Sequence, residues 1–184
     1  MRELSLNVLD IAQNSIVAGA SLTEILVNES TTNNTLHIGI YDNGKGMTPE
    51  QVENVKDPFF TTRTTRKVGM GIPLFKLAAE QTGGTFAIAS QLGVGTRVDA
   101  YFKTDSIDFT PLGDMASTIA TIVSMNEDKD FVYIRKINGK EFEFKSSDIK
   151  KILDGVPLSE PSVMNWIEDY IRENTEQLFI ERND

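Results

Sequence analysis

Two short runs near the start of the chain, "TEILVNE" (23–29) and "TLHIGIY" (35–41), alternate apolar and polar residues and flank the polar loop "STTNN". Alternation of period two buries one face of a strand, and a short polar loop between two such strands makes an antiparallel hairpin. A sheet built this way keeps an apolar face that helices must cover. The flanking sequence supplies them. Leu4, Val8, Ile11, Ala12 and Ile16 recur at helical spacing over 3–19, and a second helix is predicted over about 70–82, stopped by Gly83-Gly84. "TPEQVEN" predicts a short helix with Thr48 as N-cap and Pro49 in its first position. Two further strands, "TFAIASQ" and "TRVDAYF", are joined by "LGVG". Helix, two strands, loop, helix, two strands describes an α+β fold: a two-layer sandwich with helices on one face of a mixed, mostly antiparallel sheet.

The character changes after Asp105. "DMASTIATIVSM" reads as a helix, and "DFVYIRKINGKEFEFKSS" as a hairpin turned by Asn138-Gly139 in type I′ geometry. Helices follow over 147–154 and 159–174, the second carrying the sole tryptophan, Trp166. The expected organisation is a domain over 1–105 and a C-terminal extension over 106–184. The stripe of Trp166, Tyr170 and Ile171 is expected to pack on the main domain.

Composition narrows the function classes. A net charge of −9 and a pI near 4.7 argue against a nucleic-acid partner, which would call for a basic surface. Without cysteine there is no disulfide, thiolate metal site or cysteine nucleophile. No stretch is long and apolar enough to span a membrane, and the N-terminus lacks the pattern of a signal peptide. The default for such a chain is cytoplasmic.

Chemistry concentrates in three places. Asn7, Asp10 and Asn14 fall at i, i+3 and i+7 and form one polar stripe on the first helix. An amide oxygen suits a hard cation, and a carboxylate one turn away could orient or deprotonate a water. Three G-x-G pairs, Gly44/Gly46, Gly69/Gly71 and Gly93/Gly95, each sit where an element starts or ends, which suggests backbone brought close to a ligand. The middle pair opens a helix, whose free amides favour anions, and Arg63, Arg66 and Lys67 lie just upstream. Each feature has a plainer explanation as a solvated face, a turn or an exposed charged loop. His37, the sole histidine, sits inside a predicted strand and is read as structural.

Taken in order, Asn14, "DNGKGM", "DPFFTTR", "GMGIPL" and "GVGTRV" resemble the boxes of the GHKL (Bergerat-fold) ATPase superfamily, which includes DNA gyrase B, the large heat-shock chaperone, sensor histidine kinases and MutL. The resemblance covers about 4–104 and is closest to the catalytic domain of sensor histidine kinases. It implies ATP and Mg²⁺ as cofactors. It implies that Asp42 accepts a hydrogen bond from the adenine amine, with Gly44 and Gly46 letting the base lie against the backbone and Thr96 joining that network. Asn14 would hold the metal. Gly69 and Gly71 would bring amides to the phosphates, with Arg63, Arg66 or Lys67 as basic contacts, and Phe59 and Phe60 would anchor the lid. Asp10 falls where some members carry a glutamate general base. Departures are Val17 in place of a basic residue and Lys67-Val68 in place of Gly-Thr.

Three readings stand side by side. The first is an ATPase or phosphotransferase acting on a protein partner that carries the phosphoacceptor or signal. The second is a serine kinase similar to bacterial anti-sigma factors. The third is a nucleotide-gated interaction module. Oligomeric state, a homodimer included, is left open.

Overall fold

The structure is a computed structural model, and it describes residues 3–59 and 70–180. Elements run α1 (Leu4–Val17), β1 (Leu22–Ser30), β2 (Thr35–Asp42), α2 (Pro49–Val55), α3 (Gly71–Gln81), β3 (Thr85–Gln91), β4 (Gly95–Lys103), α4 (Met115–Met125), β5 (Asp130–Ile137), β6 (Lys140–Lys145), α5 (Ser146–Leu153) and α6 (Pro161–Ile180).

Alternation along the strands decides the layers. Ile25 and Val27 of β1, Leu36, Ile38 and Ile40 of β2, and Val98, Ala100 and Phe102 of β4 are all buried on one face. The registers bring them together, with Ile25 opposite Ile40 and Ile40 opposite Val98. Leu4, Val8 and Ile11 of α1, Phe75 of α3 and Ile119 and Ile122 of α4 complete the same core cluster. At roughly 1.5–3 kcal/mol per fully buried large side chain, this interface is what holds the helices to the sheet.

Among the described residues one sheet contains all six strands, in the order β3-β4-β2-β1-β5-β6. The hairpin after Asp105 continues it: β5 pairs parallel to β1, with Leu22 opposite Asp130 and Ile25 opposite Tyr133, while every other pairing is antiparallel. Asn138 and Gly139 turn that hairpin with φ 51° and 85°, as type I′ geometry demands. α6 packs Val163, Ile167, Ile171 and Leu178 into the core. Tyr170 meets the Phe142 ring edge-on, and Trp166 stacks on Tyr170 while staying half exposed.

The opposite face of the sheet is polar and aromatic. His37 Nε2 lies 2.8 Å from Asp99 Oδ1, which also accepts the Tyr41 hydroxyl at 2.7 Å, and the His37 ring stacks on Tyr101. Burial and the Asp99 contact push the Tyr41 hydroxyl well above its ordinary pKa. Phe59 stands almost fully exposed, outside the core.

Candidate functional site

α1 starts without a side-chain cap. Its first amides are instead tied to the connector before α4: Leu4 N–H donates to Pro111 O at 2.9 Å and Ser5 N–H to Leu112 O at 2.8 Å. That clamp sets the helix against the sheet. Its last turn then faces the C-terminal end of β2, and between them lies a cavity of about 270 Å³. Apolar walls come from Ile11 of α1, Ile40 and Val98 of the sheet, Val55 of α2 and Ile72 of α3, with Met47 in the loop after β2. Asn14, Ser15, Asp42, Lys45, Gly46 and Thr96 supply its polar and backbone surface. Among the described lining residues there is a single carboxylate, Asp42, and a single ammonium, Lys45.

Asp42 is held from two sides. The Ser15 hydroxyl donates to Oδ2 at 2.6 Å and the Gly44 amide donates to Oδ1 at 2.8 Å. Each carboxylate oxygen can accept two hydrogen bonds and here accepts one, so each keeps one free acceptor position in a fixed orientation. Thr96 sits directly opposite Asp42 in the β2–β4 register. Its hydroxyl lies 2.8 Å from Ser90 Oγ, which donates to Gly95 O and accepts the Met47 amide. With the Ser90 proton committed to Gly95, Thr96 donates to Ser90 and keeps its own lone pairs as acceptors.

The glycines serve backbone packing as much as ligand access. Gly46 has φ +73°, and a Cβ there would run into the Gln91 carbonyl; at Gly95, φ +143°, one would strike the Asp42 carbonyl. Glycine is therefore what lets the loop after β2 and the β3–β4 turn close on each other. Gly44 packs against Ala18 beneath the cavity, and of the first glycine pair Gly46 alone lines it. Gly71 starts α3 against α1, where a Cβ would come 3.1 Å from the Asp10 Cβ.

The polar stripe of α1 divides. Asn14 reaches the cavity, Asp10 faces solvent beside the start of α3, and Asn7 is buried with its Nδ2 unpartnered. Partial burial raises the Asp10 carboxyl above its ordinary pKa. Arg63, Arg66, Lys67, Gly69 and Phe60 lie outside the described residues. Ser15, Ser90 and Lys45 belong to the site as well, and sequence reasoning passed over them. Lys45 stands inside the quoted "DNGKGM" and could have been found there. Ser15 contacts a residue 27 positions away, which no local pattern reveals.

The comparisons with known proteins agree on this region. The family model described as "Histidine kinase-, DNA gyrase B-, and HSP90-like ATPase" matches residues 1–106. Sensor histidine kinase ZraS of Escherichia coli (strain K12) is 33% identical over 88 residues, covering 48% of this chain and 19% of that protein. Sensor protein SrrB of Staphylococcus aureus (strain NCTC 8325 / PS 47) is 33% identical over 101 residues, covering 52% of this chain and 17% of that protein. The chain thus spans under a quarter of the length of these curated relatives. Among solved structures, the Aquifex aeolicus MutL ATPase domain complexed with ADP aligns with a TM-score of 0.51 over 84% of this chain and 68% of that one, at 16% identity. That likeness extends the shared fold well past residue 106. The chain belongs to the histidine kinase-, DNA gyrase B- and HSP90-like ATPases, the GHKL family.

Proposed function

We propose that the cavity under α1 binds the adenine of ATP, and that the chain hydrolyses the nucleotide slowly or passes its terminal phosphoryl group to a partner protein. One observation carries the proposal: a carboxylate, Asp42, pinned by Ser15 and Gly44 in a largely apolar slot. An adenine amine would donate to the free acceptor position on Asp42. Guanine offers an oxygen at that edge and would leave the carboxylate facing another acceptor, so selectivity for adenine follows. Ile40, Val98, Ile72 and Met47 would sandwich the ring, and the loop carrying Gly46 would run close beside it.

The donor set suits the metal as well. Asn14 reaches the cavity with a neutral amide oxygen, a hard ligand of the kind Mg²⁺ takes alongside water and phosphate. The ion would neutralise phosphate charge, and the chain's own part would be positioning and electrostatics. Lys45 adds a second positive charge at the rim. Asp10, if it reaches the water, acts as base, and its raised pKa suits that role.

Asp10 also supports a second reading. It faces solvent and does not line the cavity, so the only carboxylate among the described lining residues is Asp42, which the adenine would occupy. Nucleotide binding would then gate a protein surface without useful turnover. Asn14→Ala separates the two. Loss of turnover together with weakened ATP–Mg²⁺ binding supports the enzyme, and turnover unchanged by the substitution overturns it. If a phosphorylated partner is found, acid lability of the phosphate tells phosphohistidine from the phosphoserine of an anti-sigma-type kinase.

The site itself is tested by calorimetric titration with ATP, ADP and GTP, with and without Mg²⁺. Adenine-selective, metal-assisted binding that Asp42→Asn removes is expected. Equal affinity for ATP and GTP would exclude the adenine slot.

A further inference from the structure

A second and larger cavity, about 500 Å³, opens at the other end of the helix layer, between β5, the start of α4, the last turns of α6 and Glu3. It shares no lining residue with the cavity under α1. Its floor is unusual. Tyr133 is only 1% exposed, yet its hydroxyl makes no hydrogen bond with any described residue. The one fully enclosed orphan polar atom among the described residues is Asn7 Nδ2, so the phenol oxygen is open to the cavity. Burial raises its pKa, which keeps the group a protonated donor.

Two residues along the same strand, Arg135 is 3% exposed and also lines the cavity. It donates to Glu29 Oε2 at 2.7 Å and to the Lys136 carbonyl at 3.1 Å. A guanidinium has five N–H donors, so three have no described acceptor. Buried donors of this kind are costly unless something accepts from them.

The mouth carries the opposite character. Among the described residues Glu176, which is exposed, has no ion-pair partner, and the Glu3 carboxylate accepts only from the Ser5 hydroxyl. Asp114 is already engaged, capping α4 through the Ser117 amide and pairing with Arg172. Leu112, Met115 and Phe179 add apolar lining to the same cavity.

A floor that donates, an apolar wall and a mouth with two unspent carboxylates describe the complement of a zwitterion with an apolar body. We propose that this cavity is a binding site for an apolar α-amino acid or short peptide, its carboxylate on Tyr133 and Arg135 and its ammonium facing Glu3 and Glu176. Water could satisfy the floor donors singly, but it would not depend on both charges of a solute being present.

The test is titration of the whole chain with L-leucine, L-phenylalanine and the dipeptide Leu-Phe, followed by calorimetry and by shifts in the amide spectrum. N-acetyl-leucine and leucine amide, each lacking one of the two charges, serve as controls. Saturable binding at millimolar concentration or tighter is expected, weakened about tenfold or more in either control and in Tyr133→Phe or Glu176→Gln. Tyr133→Phe removes only an unpartnered oxygen and Glu176 lies on the surface, so both variants should melt as the parent does. No saturation by any of the three probes overturns the site. Binding unchanged by both blocking groups overturns the zwitterion and leaves an apolar groove filled by solvent. Binding lost only together with the fold would show that the two residues are structural.

Discussion

At Asp42 the two donors are not equivalent. The Gly44 amide belongs to the backbone and survives any substitution but proline, whereas the Ser15 hydroxyl is removed by alanine. Ser15→Ala should leave the fold intact and release one side of the carboxylate. A hydrogen bond to a charged group contributes about 1.5–3 kcal/mol, so nucleotide affinity measured by calorimetry should fall roughly tenfold or more. Gly46→Ala should act on the fold itself. It combines a left-handed φ with a Cβ placed into the Gln91 carbonyl, and a loss of at least about 2 kcal/mol is expected by urea denaturation. Asp10 gives a pH-dependent prediction. Its folded pKa is raised, so the stability it confers is complete only below the unfolded carboxyl pKa and is lost as pH rises through the folded value. Asp10→Asn should therefore raise stability at neutral pH, with the gain vanishing in strongly acidic buffer. Denaturation curves at the two pH values check the sign.

Elements were the most legible scale. Every helix and strand read from alternation, helical spacing and turn residues is present, most with ends displaced by a few residues, while the last helix, read over 159–174, runs on to Ile180. The type I′ turn at Asn138-Gly139 and the Thr48 cap were visible because each rests on chemistry within four residues. At Thr48 the structure adds the reciprocal half of a capping box, the Gln51 side chain accepting from the Thr48 amide at 2.9 Å. α2 buries no residue, so its cap carries an unusual share of its stability. Thr48→Ala should cost about 1 kcal/mol locally, seen as faster amide exchange across 49–55 with little change in global melting. Other features were not legible. The burial of Asn7 depends on how α1 is rotated against its neighbours, and the pattern 7, 10, 14 fixes a stripe without saying where it faces. Ser90 owes its role to a strand register that brings Thr96 and the Met47 amide to one hydroxyl. Such contacts join residues with no common local signal.

For the whole molecule, the decisive pairing is β1 with β5. It joins strands more than a hundred residues apart, and a parallel pair leaves no turn for a sequence to announce. Chain 1–105, made alone, would keep β1–β4 but expose the β1 edge and uncover the core side of α1 that Ile119 and Ile122 protect. It is expected to aggregate, or to lose fixed near-ultraviolet circular dichroism, where the full chain does neither; size-exclusion profiles of the two decide it.

The parallel pairing also has a timetable. As the polypeptide leaves the ribosome, β1 and β2 can zip at once, and β4 joins β2 some sixty residues later. Throughout that interval, and until Asp130–Ile137 emerges, the other flank of β1 offers its amides and carbonyls to any passing strand. The nascent chain is thus longest at risk on one of the two strands that end up at the centre of the finished sheet. Elongation speed through the connector and α4, rather than the strength of any single contact, sets how long that exposure lasts.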